Sequence, residues 1–468
     1  MTLSTLLEAG VLACTAYICV VYGMYLALMA VALVESRGRR LETEADDHDT
    51  IARSRFLPSV SVLVPAHNEV GGLPDAVRSL LALDYPDFEV IVVSDGSTYG
   101  TVEQLREEFE LVPVELSSRA VVATEPVEAV FRSDAEPRLV VLDKRGGGKA
   151  DALNVGLNYC RNRFVCGVDA DMVFARDALS RALGAFLSDP ARVVGLTSFV
   201  EIAENPASAL RGVEYRIPDS RPFLLFQTLD YLRAFYNNRI AWSRLGFMLC
   251  AVGAFQVWRR ELLDELGGWS REFTCEDIEL TFRVHRVLQE RGEPYRVLCL
   301  PDRIGVTEGP DTIGKLVAQR ERWQRVILET WWANRRMCLN RRYGRVGMLG
   351  MPFYLVSEIV APAFELVAVA TLAGGAALGL VDWWLFALVV LLISLVNSGF
   401  SAASLLMVER QSHAYRPTGL VRLLALMPLE ILVYRPVLSW ARIKGTWRFL
   451  RGDKAWHKFE RNVRTEPA

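Results

Sequence analysis

The chain has 468 residues, is 51% hydrophobic and 23% charged, and balances 53 basic against 55 acidic side chains for a net charge of −2. An ordinary charged share beside so much apolar character fits neither a wholly soluble protein nor a pure membrane bundle, and near-neutrality leaves no global field to select nucleic acid. The eight cysteines are scattered without a C-x-x-C pair, which excludes a zinc module or a disulfide scaffold and reads as reduced thiols facing a cytosol.

Gly10–Val34 carries no charge. These roughly 25 residues would make a helix of about 37 Å, enough to cross a hydrocarbon core of about 30 Å. No basic region precedes the run, so it reads as an anchor rather than a cleaved signal peptide. Arg37, Arg39 and Arg40 follow at once, and the positive-inside tendency assigns them to the cytosol. The anchor therefore occupies residues 1–35, and residues 36–57 form a polar, partly acidic tether.

Residues 58–345 hold most of the charge. Val60–Pro65, Val90–Val93, Leu139–Leu142 and Phe164–Val168 are short apolar runs, with helical patterns at Leu73–Leu83 and Ala150–Tyr159 between them. This alternation predicts an α/β domain with a mostly parallel, Rossmann-like sheet covered on both faces. Ligands of such sheets bind beyond the carboxyl ends of the strands. Those ends carry Pro65-Ala66-His67-Asn68-Glu69, Ser94-Asp95-Gly96-Ser97 and Asp169-Ala170-Asp171. One acid at a strand end is commonly a helix cap, but three polar clusters at successive ends outrun that account. Asp169 and Asp171 offer the hard oxygen ligands that Mg2+ or Mn2+ prefers. In Lys144–Asp151, the glycines at 146–148 permit close backbone approach, and Lys149 at a helix start supplies a charge for a phosphate. The Walker A spacing is missing, which disfavours an ATPase. A flexible surface turn is the alternative.

Further along, 206–247 mixes Tyr231, Arg233, Arg239 and Trp242 with apolar residues, as an interface helix or a core helix would. A helix over 313–336 puts Gln319, Arg322 and Trp323 on one face. The same helix could lie on a membrane surface with Trp323, Trp331 and Trp332 as anchors. Apolar blocks return at 349–380, 383–408 and 417–440, so residues 346–443 read as membrane segments. Glu358, Glu365 and Glu430 should face protein or a water-filled path, whereas Arg422 and Arg435 could equally snorkel from helix ends. Three full late crossings would leave the basic tail, residues 444–468, outside. Positive-inside reasoning therefore favours two crossings, with 417–440, broken by Pro428 and Pro436, lying in the interface or re-entering.

The ordered strings Val64–Glu69, Ser94–Ser97, Gly148–Asn154, Asp169-Ala170-Asp171, Cys275-Glu276-Asp277 and Gln319–Trp323 resemble those of membrane-embedded family 2 glycosyltransferases, the group of chitooligosaccharide, poly-N-acetylglucosamine, hyaluronan and cellulose synthases. The resemblance spans roughly residues 58–335. It implies a GT-A fold with α-helical transmembrane segments and amphipathic interface helices, and inverting hexosyl transfer from a nucleotide sugar, usually a UDP-sugar. Pro65, His67, Glu69 and Asp95 would hold the nucleobase and ribose, Lys149 would lie near the diphosphate, and Asp169 and Asp171 would serve the donor and its Mg2+ or Mn2+. Asp277 matches the general base, and Glu276 would shape the acceptor end. Gln319, Arg322 and Trp323 match the motif of processive members, in which the arginine steadies the leaving diphosphate and the tryptophan stacks beneath the acceptor sugar. Cys275 replaces the family's usual threonine, and Gly253-Ala254-Phe255 lies where the family has an acceptor-site loop. Trp456–Arg461 loosely resembles a gating segment that closes over UDP.

These residues point to a processive enzyme of the plasma membrane, multi-pass with a cytosolic catalytic domain, that extends a glycan from UDP-N-acetylglucosamine or UDP-glucose and passes it through its own membrane segments. A one-step transferase acting on a lipid acceptor and an inactive sugar-binding or export subunit are the competing readings. The latter requires a missing catalytic acid, and Asp169, Asp171 and Asp277 are all present. Partner subunits and oligomeric state leave no mark in the chain.

Overall fold

The computed structural model describes residues 3–45, 57–69, 72–98, 100–203, 222–412 and 415–453. They belong to two compact units. One comprises residues 38–215 and 248–309, and the other residues 1–37, 216–247 and 310–455. Of residues 58–345, read from sequence as one catalytic domain with interface helices, the described residues 222–247 and 310–345 thus group with the apolar helices.

The first unit is built on a ten-stranded sheet: β1 (Val60–Ala66), β2 (Phe88–Asp95), β3 (Leu111–Pro113), β4 (Val127–Ser133), β5 (Leu139–Lys144), β6 (Phe164–Val168), β7 (Val173–Phe174), β8 (Val193–Ala203), β9 (Phe255–Arg259) and β10 (Arg296–Glu308). Their order is β3-β4-β5-β2-β1-β6-β9-β8-β10-β7. The expected parallel core is there as β5-β2-β1-β6, and β8 and β10 also run parallel. Antiparallel pairs flank the core at β4-β5 and β6-β9. Val62, Val64, Val90, Val92, Leu139, Val141, Phe164 and Cys166 are buried in one apolar cluster, and the alternate residues Leu63, Ile91, Val140 and Val165, on the opposite face, are buried too. Burial on both faces explains why these strands read as continuous apolar runs. β10 escapes the sequence pattern because Pro301-Asp302 interrupts it, and its register against β8 shifts between Leu300 and Arg303. The parallel core brings the carboxyl ends of β1, β2 and β6 to one edge of the sheet.

A single helix covers Leu3–Ala45, most of it within the second unit. It runs past Val34 into the predicted tether because no proline interrupts residues 35–45. Residues 46–56 of the tether lie outside the described residues. The Tyr17 ring stacks on Phe364 at 4.2 Å, and its hydroxyl donates to the Val356 carbonyl at 3.0 Å. Among the described residues, three helices are long and apolar enough to cross a membrane: Thr5–Gly38, Val346–Ala377 and Trp383–Arg410. The block after them breaks into Pro417–Leu426, a short turn, Glu430–Val433 and Arg435–Leu450, with Pro428 and Pro436 near the breaks. All eight cysteines are free thiols.

The charges among these apolar helices are paired. Glu430 is fully buried and bonds Arg233 at 2.5 Å and Arg435 at 3.1 Å, and Asn397 donates to it at 3.1 Å. Arg442 reaches Glu358 at 3.1 Å and Glu365 at 3.6 Å. Arg435 is therefore part of a buried network, whereas Arg422 is exposed. Arg233 itself opens a π-helical turn, Arg233–Arg239, between the helices Pro222–Leu232 and Ile240–Leu245. Residues 204–221, and the Trp456–Arg461 segment of the tail, lie outside the described residues.

Candidate active site

Strand ends set the first wall of the site. Pro65 lies within β1 opposite Val93 of β2. Just past β1, the His67 ring donates from Nδ1 to the Asp95 carbonyl at 2.6 Å, and Asn68 Nδ2 approaches its Nε2 at 3.3 Å. Asn68 takes a left-handed φ of 52°, which turns its side chain to accept from the Thr98 N–H at 2.8 Å. Short amides tolerate that backbone region better than most side chains. Glu69 follows, half-buried, at the edge of this turn.

Asp95 closes β2 with a carboxylate that is already engaged. It pairs with Lys144 at 2.5 Å and accepts from the Gly147 and Gly148 N–H groups, each at 2.8 Å. Lys144, fully buried, also reaches Asp151 at 2.8 Å, and Asp151 in turn meets Arg271 at 3.1 Å. The glycine string is therefore a pinned turn. Gly96 has a φ of 61°, and a Cβ there would sit 2.7 Å from the Gly146 nitrogen. Two of the backbone N–H groups expected to approach a phosphate are spent on Asp95, so Lys149 is the cationic group the turn presents.

Lys149 opens the helix Lys149–Tyr159 and lies between two acids. Its ammonium is 2.7 Å from Asp169 Oδ1 and 2.9 Å from Glu276 Oε1. Burial alone would push this ammonium down, but the carboxylates of Asp169, Glu276 and Asp277 overcome it and hold it well above the usual lysine range. Asp169 and Asp171 follow β6, both half-buried, and Thr307 of β10 donates to Asp171 Oδ2 at 3.2 Å. Among the described residues no third His, Cys, Asp or Glu completes a cluster with them. Two carboxylates fit a hard divalent cation whose remaining ligands come from substrate phosphates and water.

Glu276 and Asp277 begin the helix Glu276–Arg291. Upstream, Asn154 fixes the chain that leads into it: its amide bonds both the N–H and the carbonyl of Trp269, at 2.7 and 2.8 Å. Asp277 is held on both oxygens. Oδ2 accepts from the Gly253 N–H at 2.7 Å, and Oδ1 accepts from the Ile278 N–H at 2.6 Å and from the Cys275 thiol at 2.9 Å. Burial first, then the charges of Asp277 and Glu276, push that thiol well up, so it remains a protonated donor. Thr281 and Thr197 brace the Gly253 loop by accepting from Ala251 and Val252 at 3.1 and 3.3 Å.

Lys149, Asp169, Glu276 and Asp277 thus form one constellation, and His67 joins Asp95 across the β1 and β2 ends. Gln319, Arg322 and Trp323 belong to the other unit, on the helix Ile313–Ala333 at the expected spacing. There the Arg320 guanidinium lies 4.2 Å from the Trp323 ring centre and pairs with Asp230 at 3.0 Å. The sequence reading gave no role to Lys144, Asp151 or Arg271 and no contact to Gly253. For the first two the signal was present: a lysine closing an apolar strand and an acid opening a helix, flanking the glycines. Nothing local marks Arg271.

Residues 61–267 match glycosyl transferase family 2, and residues 167–407 match glycosyl transferase family group 2. Among curated proteins, the chain is 26% identical to a poly-beta-1,6-N-acetyl-D-glucosamine synthase of Staphylococcus epidermidis over 58% of this chain and 57% of that protein. It is also 26% identical to the probable glycosyltransferase YdaM of Bacillus subtilis, over 58% and 55%. The matched region spans somewhat more than half the length of these relatives. Among solved structures, the mannosyltransferase PcManGT from Pyrobaculum calidifontis, in complex with GDP-Man and Mn2+, is similar at 21% identity and a TM-score of 0.51, covering 88% of this chain and 99% of that one. That likeness is one of fold, and it agrees with the GT-A fold that the resemblance implies. With more than half of its length matched by one family, the chain belongs to glycosyl transferase family group 2.

Proposed function

We propose that the protein is a processive, inverting hexosyltransferase that uses a nucleotide sugar, UDP-N-acetylglucosamine or UDP-glucose, to extend a β-linked polysaccharide at the cytosolic membrane face and pass it through the membrane. The observation that carries this reading is the convergence of Lys149, Asp169, Glu276 and Asp277 at the carboxyl edge of the sheet. It joins one cation for a phosphate to an anchored carboxylate that can take a proton. The names of the curated relatives support a poly-N-acetylglucosamine product.

In this mechanism Asp277 accepts the proton of the acceptor hydroxyl as that oxygen attacks the anomeric carbon, opposite the leaving diphosphate. Lys149 offsets negative charge growing on the diphosphate. Asp169 and Asp171 would hold a divalent cation, Mg2+ or Mn2+, whose charge does the same. Glu276 orients Lys149 and shapes the acceptor end. Pro65, His67, Glu69 and Asp95 border the nucleoside, and Gln319, Arg322 and Trp323 keep the roles that the resemblance implies.

The test is Asp277→Asn in the full-length protein, assayed with a panel of UDP-sugars and Mg2+ or Mn2+. Transfer should fall by about 10²-fold or more, in keeping with loss of a general base, while UDP affinity stays within a factor of two or so. Retained synthesis refutes the base assignment. Product length separates the readings: wild-type enzyme should make long polymer, whereas a single sugar on lipid would establish a one-step transferase.

A further inference from the structure

Between the helix Ile313–Ala333 and the apolar span that starts at Val346 lies a segment unlike any other in the chain. Arg335, Arg336, Arg341, Arg342 and Arg345 fall within eleven residues, and no acidic residue occurs between Glu329 and Glu358. All five arginines are exposed. Among the described residues, no carboxylate pairs with any of them. Elsewhere on this protein exposed arginines commonly find an acid, as Arg78, Arg145, Arg181 and Arg192 do.

The segment has a defined shape. Two 3-10 turns, Arg335–Met337 and Arg341–Tyr343, display the arginines outward while Met337 and Tyr343 are buried beneath them. The Asn340 side chain caps the second turn by accepting from the Arg342 N–H at 3.0 Å. The Leu339 N–H donates to the Gly347 carbonyl at 2.9 Å, and a Cβ on Gly347 would lie 2.5 Å from the Asn340 carbonyl oxygen. Apolar side chains stand among the charges: Trp332 is 56% exposed, Leu339 67% and Leu349 49%.

We propose that this turn pair is a docking surface for the anionic headgroups of membrane phospholipids. Planar guanidinium groups match phosphate oxygens, exposed Trp and Leu suit the boundary between headgroups and acyl chains, and the surface adjoins a membrane-spanning helix. Positive-inside placement asks only for basic charge near a span. Here, among the described residues, the charges have no carboxylate partner, Arg335 and Arg345 bonding only the Trp332 and Leu245 carbonyls, and they stand ordered among interfacial side chains, which adds recognition of phosphate to orientation.

Native mass spectrometry of the full-length protein in neutral detergent, with equimolar phosphatidylglycerol and phosphatidylcholine added, tests the proposal. Wild-type protein should retain phosphatidylglycerol in excess. The triple variant R336Q/R341Q/R342Q should cut that excess by about fivefold or more, the loss expected for even one such contact. The same number of changes at exposed arginines of the sheet unit, R161Q/R163Q/R192Q, should leave it unchanged. Equal retention of the two lipids by wild type, an undiminished excess in the first variant, or an equal loss in the second overturns the proposal. Should the first variant fail to fold, wild-type protein still decides: phosphatidylglycerol must raise its melting temperature more than phosphatidylcholine does, and sodium chloride must abolish the difference. No difference, or competition by millimolar inorganic phosphate as effective as the lipid, rejects a bilayer surface as the partner.

Discussion

Gly253 shows how little space separates the groups proposed to do the chemistry. A Cβ at this position would lie 3.0 Å from both Lys149 Nζ and Asp277 Oδ2. The glycine φ is outside the left-handed region, so alanine would be crowded by its neighbours and not strained in its backbone. Gly253→Ala should therefore displace the ammonium or the carboxylate by a few tenths of an ångström or more. Turnover is expected to fall by about tenfold to a hundredfold, with UDP affinity and melting temperature near wild type. Wild-type turnover would show that this spacing is not what positions Asp277. Such a role is invisible in the string Gly253-Ala254-Phe255, because it depends on where Lys149 and Asp277, distant in sequence, come to rest. Asp95 and Asp169 were legible at strand ends, where side chains project toward the edge of the sheet, whereas Asp277 was marked only by the family resemblance.

At the scale of one element, the helix Glu276–Arg291 joins the site to the interior. Its first turn carries Glu276, Asp277 and Glu279, a favourable placement for acids beside the positive end of a helix dipole. Two turns later His285 is fully buried, with Nε2 donating to the Met248 carbonyl at 2.6 Å and Nδ1 accepting from the Tyr295 hydroxyl at 2.7 Å. Burial pushes its pKa down to about 4 from the usual 6.5. The unfolded chain thus takes up a proton near pH 6.5 that the folded chain refuses until about pH 4. Stability is fully present above pH 6.5 and falls as pH drops through that window, by about 3 kcal/mol in all. Melting temperatures should drop between pH 7 and 5, and the drop should shrink in His285→Asn. An equal drop in the variant would assign the pH dependence to other groups. Only the family resemblance pointed to Glu276 and Asp277 at the start of this element, and a histidine among polar and apolar neighbours gives no sign of its burial until the helix is docked.

For the molecule as a whole, the three long apolar helices and the parallel strand core follow from sequence patterns that need no tertiary information. Partnership among the charges between them does not. Glu358, Glu365 and Glu430 were expected to face protein or water, yet the cations that meet them, Arg442, Arg233 and Arg435, come from segments up to 197 residues away. Since Arg233 and Glu430 are both buried, removing Glu430 takes from Arg233 its shorter ion pair, leaving Asp230 at 3.5 Å, and takes a carboxylate from Arg435 as well, at a cost of about 3–5 kcal/mol. Glu430→Leu should lower the melting temperature in detergent by several degrees, and the double change Arg233→Met, Glu430→Leu should recover part of it. A double variant no more stable than the single would show that the pair is not a unit.

The chain of contacts from Asp95 through Lys144 and Asp151 to Arg271 alternates in sign at every step. Over generations, a site so arranged drifts by parity. Loss of one member strands an odd charge inside the fold, whereas exchange of two neighbours restores the alternation. Positions 95, 144, 151 and 271 are thus expected to vary together across relatives or not at all, and an engineer altering this end of the site would do well to change them in pairs.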